Sequence, residues 1–173
     1  MKKILIPFIS IILALIILTG MSIGLGALAE KNAEAEQLKL MQTLLPGSEE
    51  FELKTDTADR PQIKAAYKAE NGYVVETVTN GYAGEIVMLI GVSNDGTVTG
   101  LVVRDMNETF TLGREALTDH QFLSQFLNSS EEFTVGENVD ALSGATVTSR
   151  AIANAVNAAI SYVTGSDSES GAT

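Results

Sequence analysis

Apolar and polar positions along the chain fall into a few clear periods. From Glu30 to Leu45 the pattern is helical, with Leu38, Met41, Leu44 and Leu45 on one face, and Pro46-Gly47 stops it. Residues 50–56 and 63–69 read as short strands. Tyr73–Thr79 is rich in β-branched and aromatic residues and predicts a strand. Glu85–Ser93 is almost continuously apolar, the signature of a strand buried on both faces. Asn94-Asp95-Gly96 is a turn signal, and Thr97–Arg104 alternates behind it, so 85–104 predicts a β-hairpin. Residues 118–127 predict a helix with Phe122, Leu123, Phe126 and Leu127 on one side. The last helix is marked by a stripe of Ala151, Ile152, Ala155, Val156, Ala159, Ile160 and Val163, with Thr148 or Ser149 as its N-cap and Gly165 as its end. Its many alanines let it lie close to what it covers. Helix, strands and then helices predict an α+β domain with an antiparallel sheet and flanking helices.

One segment belongs to a different class. Residues 4–29 carry no charge, and their only polar side chains are Ser10, Thr19 and Ser22. As a helix they would extend about 39 Å, enough for a hydrocarbon core of about 30 Å. Lys2 and Lys3 precede this run and Glu30, Glu34 and Glu36 follow it, which predicts a cytoplasmic N-terminus and an exported domain. Ala27-Leu28-Ala29 also fits a small-x-small cleavage pattern, but the length of the run favours a retained anchor over a signal peptide. The expected organisation is therefore an anchor at 1–29, a single domain at 30–164 and a flexible acidic Ser-Gly tail at 165–173.

Composition narrows the chemistry. The 173 residues carry a formal net charge of −11, which argues against non-specific nucleic-acid binding and docking on anionic lipid. Absence of Cys removes disulfides, thiolate metal sites, iron–sulfur clusters and a catalytic thiol. His120 is the only histidine, which excludes a multi-His metal site; it reads as an exposed or capping residue, with no identifiable partner for a proton relay. Difficult chemistry then falls to carboxylates or to a bound cofactor.

The informative stretch runs from Asp140 through Ala141, Leu142, Ser143, Gly144, Ala145, Thr146, Val147 and Thr148 to Ser149. A small glycine-containing turn enters a helix amid four hydroxyls. A helix start offers unpaired N–H groups and partial positive charge, and so favours phosphate. Gly144 and Ala145 permit close approach of the backbone to a ligand. An ordinary capped helix after a loop fits the same residues.

The stretch resembles the flavinylation motif Asp-x-x-Ser/Thr-Gly-Ala-Thr of the FMN-binding domain family, matching at Asp140, Ser143, Gly144, Ala145 and Thr146. That family includes the G subunit of Rnf electron-transport complexes and the C subunit of the sodium-translocating NADH:quinone reductase. Gly81-Tyr82-Ala83-Gly84 resembles its Gly-Tyr-x-Gly strand entry, and Glu108-Thr109-Phe110-Thr111-Leu112-Gly113 its Glu-Thr-Pro-Gly-Leu-Gly loop. The anchor and the helix ending in Leu-Pro-Gly also fit the G subunit. The resemblance implies FMN joined through its phosphate to Thr146 by a flavin transferase, with Asp140 read by that enzyme. Ser143, Gly144, Ala145, Thr148 and Ser149 would lie around the phosphate, with Arg150 either adding charge or simply solvated. Tyr82, Glu108, Thr109, Leu112 and Gly113 would lie near the flavin. Where the family has Pro-Gly, this chain has Phe110-Thr111, and Phe110 either stacks on the flavin or packs in the core.

The implied function is electron transfer within an Rnf-like membrane ferredoxin:NAD oxidoreductase coupled to ion translocation, with other membrane subunits as partners. A stand-alone exported flavin carrier and a non-redox exported binding module remain alternatives. Finally, Asp167-Ser168-Glu169-Ser170-Gly171-Ala172-Thr173 repeats the motif, which makes Thr173 a possible second FMN site; a solubilising low-complexity tail fits the same residues.

Overall fold

The computed structural model describes residues 34–55, 57, 60–82, 84–106 and 119–165. The chain divides into two compact units, Met1–Lys39 and Leu40–Thr173. Residues 34–44 are helical (α1). Among the described residues no helix is long and apolar enough to cross a membrane, and the apolar run at 4–29 lies outside them.

The second unit is built on one antiparallel sheet whose strands lie in chain order: β1 (Glu52–Lys54), β2 (Ile63–Lys68), β3 (Gly72–Asn80), β4 (Glu85–Ser93) and β5 (Val98–Met106). Two helices follow, α2 (His120–Ser124) and α3 (Thr146–Thr164). The expected α+β class and the 85–104 hairpin are both present.

The near-continuous apolar run of β4 has a direct cause. It pairs with β3 on one side and β5 on the other, and both of its faces are covered. Ile86, Met88, Ile90 and Val92 join the core formed with Ile152, Val156 and Ala159 of α3. Leu89 lies in a second core with Met41, Leu44 and Leu45 at the end of α1. Of the expected α1 stripe, Leu38 is 39% exposed and does not belong to that core. Gly91 lets the α1 end close on the sheet, since a Cβ there would stand 2.2 Å from the Leu44 carbonyl oxygen. Thr99 donates to that same carbonyl at 2.5 Å, satisfying one of the helix's last acceptors.

Two boundaries differ from the sequence pattern. The helix expected over 118–127 is regular only over His120–Ser124, capped by Asp119, which accepts the N–H groups of Gln121 and Phe122 at 2.8 and 2.9 Å. Beyond it, Gln125, Phe126 and Leu127 donate three residues back, a tightened turn that ends at Asn128 with φ 58°. There Asn128 and Ser129 exchange backbone bonds with Val98, at 2.9 and 3.0 Å, and that pairing replaces further helix. The second difference is the start of α3. Neither Thr148 nor Ser149 is its N-cap; the helix begins at Thr146 behind Ala145, with no side-chain cap bond. Gly165 ends it in the left-handed conformation, φ 68°, as expected.

Candidate functional site

The turn before α3 is set by a glycine. Ala145 donates to the Leu142 carbonyl at 2.9 Å, closing a four-residue turn over Ser143 and Gly144. Gly144 sits third in that turn with φ 78°, where a side chain is strained. Ser149 then ties the turn to the helix. Its hydroxyl accepts the Leu142 N–H at 3.2 Å and donates to the Ala145 carbonyl at 2.9 Å, while its own N–H makes the first helical bond to Ala145 at 2.8 Å.

This arrangement sorts the four hydroxyls. Ser143 and Thr146 are exposed. Thr148 and Ser149, expected among the phosphate donors, are fully buried. Thr146 occupies the first position of α3, and among the described residues no side chain caps the helix start. Arg150 is exposed four residues on, the spacing that places two residues on one helix face. Gly144 is exposed at the turn tip and Ala145 is buried beneath it. Asp140 is exposed, and its backbone is held by the Gln125 side chain, which accepts the Asp140 N–H at 2.8 Å and donates to its carbonyl at 3.4 Å. Asn157 of α3 grips Phe133 in the same way, at 2.8 and 2.9 Å. These two amide clamps fix the segment that delivers the motif. Nothing near Gln125 or Asn157 in sequence announces them, because their partners lie 15 and 24 residues away.

The fold also decides which end of the sheet Thr146 occupies. At the other end of α3, Tyr162 meets Tyr73 of early β3 edge-on at 5.9 Å, and Thr164 and Ile160 approach Gly96 in the β4–β5 turn. α3 packs along β3 and β4. From Tyr162 back to Thr146 is about 24 Å of helix, and from Tyr73 to Asn80 about 23 Å of strand. The start of α3 therefore lies toward the end of the sheet that carries the β3–β4 turn and the last residue of β5, Met106. That turn is closed by Gly81 donating to Gly84 at 2.8 Å, and it holds Tyr82 at 78% exposure. Val147, beside Thr146, is 49% exposed. Two of the large exposed apolar side chains thus belong to this end. Glu108, Thr109, Phe110, Thr111, Leu112 and Gly113 lie outside the described residues, as does Thr173. His120 lines a separate groove with Leu44, Leu101, Val103, Leu123 and Leu127 that includes none of residues 140–149.

Residues 81–161 match the FMN-binding domain family, a span that includes both the Tyr82 turn and Thr146. The G subunit of an ion-translocating oxidoreductase complex from Methanosarcina acetivorans is 32% identical over 176 residues, covering 88% of this chain and 93% of the relative. The G subunit of the Na(+)-translocating ferredoxin:NAD(+) oxidoreductase complex of Acetobacterium woodii is 39% identical over 100 residues, 51% of this chain and 47% of the relative. The corresponding subunit of the proton-translocating complex of Clostridium ljungdahlii is 36% identical over 110 residues, 57% of this chain and 59% of the relative. The chain therefore belongs to the family of G subunits of ion-translocating oxidoreductase complexes, and residues 81–161 are its FMN-binding domain.

Proposed function

We propose that this chain is the G-type electron-transfer subunit of an Rnf-like ferredoxin:NAD oxidoreductase complex coupled to ion translocation, and that it carries FMN as a phosphoester on Thr146. The observation that carries the attachment is the exposed Thr146 hydroxyl at the first position of a helix whose N-terminus has no side-chain cap. A phosphate on that hydroxyl would accept the first-turn N–H groups and sit at the positive end of the helix dipole. Ser143 supplies a further donor and Arg150 a cation on the same helix face. Ser149 acts from inside, holding the helix start through its bonds to Leu142 and Ala145, and Thr148 is buried beside it. Val147 and Tyr82 offer apolar surface for the flavin ring system. FMN bound there would supply the redox chemistry of electron transfer between partner subunits.

Attachment consumes FAD. The Thr146 oxygen attacks the FMN phosphorus, the pyrophosphate bond breaks, AMP leaves, and the threonine proton is released. Asp140, with its backbone clamped and its side chain exposed, suits recognition by the flavin transferase that performs this step. Glu108, Thr109, Leu112 and Gly113, outside the described residues, are assigned to the flavin site from their motif alone. The repeated motif of the tail offers Thr173 as a second candidate attachment point, with a solubilising tail as the alternative reading.

Residues 4–29 form a retained single-pass anchor in this reading, with Lys2 and Lys3 cytoplasmic, the 30–164 domain outside and the 165–173 tail beyond it. The other membrane subunits of the complex are its partners. In-gel fluorescence after denaturing electrophoresis tests the covalent flavin: a fluorescent band at the mass of this chain supports it, and loss of all flavin on denaturation rejects it. Protease added to intact cells tests the topology. Removal of the domain is expected, while a mature N-terminus at Glu30 would show that the apolar run is cleaved.

A further inference from the structure

Among the described residues, Thr77, Thr79 and Thr148 are the buried side chains whose polar atom has no hydrogen-bond partner. Thr77 and Thr148 are fully buried, and Thr79 is 9% exposed. All three belong to one seam between sheet and helix. Thr77 pairs with Met88 and Thr79 with Ile86 across β3 and β4. Directly opposed residues share a sheet face, and Met88 and Ile86 belong to the core that α3 covers. Thr148 stands four residues before Ile152 of that core, which puts both on one face of α3. Position along the seam follows from the contact of Tyr73 with Tyr162 at its far end. From Tyr162 back to Thr148 is about 21 Å of helix, and from Tyr73 to Thr79 about 20 Å of strand. Thr148 therefore lies over the end of β3 that carries Thr77 and Thr79.

An orphaned hydroxyl is a cost that valine, its apolar isostere, avoids. The chain does use valine at the preceding position of the same strand face, Val75, which is fully buried in this core. Ser149, beside Thr148 and equally buried, makes two bonds with its hydroxyl. We propose that the three threonines receive the polar, pyrimidine end of the FMN ring system, which makes them positioning residues for the flavin. This placement rests on the reading that Thr146 carries FMN. A flavin tethered there begins two residues from Thr148, and Thr79 lies two residues before the turn that holds Tyr82. The pyrimidine end offers two carbonyl acceptors flanking an N–H donor, and a hydroxyl serves either role. Thr77 and Thr79 stand about 6.6 Å apart along one strand face, so each meets a different atom of it. The hydroxyls are closed over in the structure, and receiving the ring displaces the start of α3 from the end of β3. Ser149 ties that start to its own loop rather than to the sheet, so the turn and the helix start move as one piece.

Thr77→Val, Thr79→Val and Thr148→Val, with Thr79→Ser as the conservative variant, test this in the full-length chain loaded by a flavin transferase. Infrared difference spectra read the flavin carbonyl stretches of the loaded molecules alone, whatever the level of loading. Hydrogen bonds lower those stretches. Thr79→Val and Thr148→Val should each move a carbonyl band to higher frequency, and Thr79→Ser should leave it at the wild-type position. Thermal melting is an independent readout. In chain produced without flavin, each valine removes an orphaned hydroxyl and should raise the melting temperature. In the loaded chain the same change removes a bonded hydroxyl and should lower it. Carbonyl bands unmoved in all three valine variants would overturn the proposal. Melting shifts of the same sign in loaded and unloaded chain would also overturn it, since that is the behaviour of a seam occupied by water alone or by nothing. A wild type without covalent flavin would instead be a failure of the attachment reading. Added FMN then decides the placement: carbonyl bands displaced from their solution positions by wild type but not by Thr79→Val would uphold it, and bands at their solution positions with both proteins would overturn it.

Discussion

The Ser149 hydroxyl accepts the backbone N–H of Leu142 at 3.2 Å, joining the turn that precedes α3 to the helix's own first turn. The bond spans seven residues and closes the loop that presents Thr146. Ser149→Ala leaves the Leu142 N–H without that acceptor and should cost about 1–2 kcal/mol. Urea unfolding should show a lower midpoint at an unchanged slope. Flavin loading should fall as well, although Ser149 itself is fully buried. Unchanged stability and loading would remove Ser149 from this role.

Gly144 carries the second prediction. Its φ of 78° is open to glycine and tolerable for asparagine, but strained for a β-branched residue. Gly144→Ala should destabilise by about 1 kcal/mol, Gly144→Val by more, and Gly144→Asn by less. Flavin fluorescence per chain in denaturing gels should follow the same order. Equal loading across the three variants would contradict a turn geometry required for modification.

Glu76 is buried in the middle of β3, with Arg104 at 3.0 Å and Lys64 at 3.4 Å. Arg104→Met leaves this carboxylate with one exposed partner and should destabilise by about 1–3 kcal/mol. Adding Glu76→Leu removes the stranded charge, so the double variant should lose less than the sum of the two single losses. Strict additivity in chemical denaturation would show that the two side chains do not interact.

Asp95 in the β4–β5 turn accepts the Ser93 hydroxyl at 2.5 Å and the Thr97 N–H at 3.1 Å. These bonds favour the ionised carboxylate and hold it below the ordinary aspartate range, with the Ser93 bond the larger cause. The unfolded chain therefore takes up this proton first as pH falls. The stabilisation is complete above the ordinary carboxylate value and is lost as pH falls through the native one. Asp95→Asn should lower the melting temperature at neutral pH and narrow its gap to wild type in acid. A gap independent of pH would exclude this linkage.

The parts of the fold that were legible in the sequence are those where burial dictates residue type. β4 announced itself because both faces are covered, and the body of α3 because an Ala-Ile stripe lies against β3 and β4. The start of α3 departs from the sequence pattern for a definable reason. A hydroxyl at a helix start ordinarily caps it, whereas here Ser149 lies one turn inside and bonds backward to the loop. The same local pattern therefore serves two geometries. α2 was overextended because Phe126 and Leu127 keep a helical spacing within tightened turns, and the pairing of Asn128 and Ser129 with Val98 is long-range. At the candidate site, the exposed Thr146 and the turn glycine were legible in the motif. The Gln125 and Asn157 clamps were not, since each joins residues that only the fold brings together.

The most direct test of the central claim is the intact mass of the chain co-expressed with a flavin transferase, with the modified peptide located by fragmentation. The account predicts FMN on the peptide containing Thr146 and a Thr146→Ala variant lighter than wild type by one FMN group beyond the substitution itself. Modification of Thr173 would add one group to both proteins, and the double variant with Thr173→Ala would carry none. A Thr146→Ala protein bearing as many FMN groups as wild type would contradict attachment at Thr146.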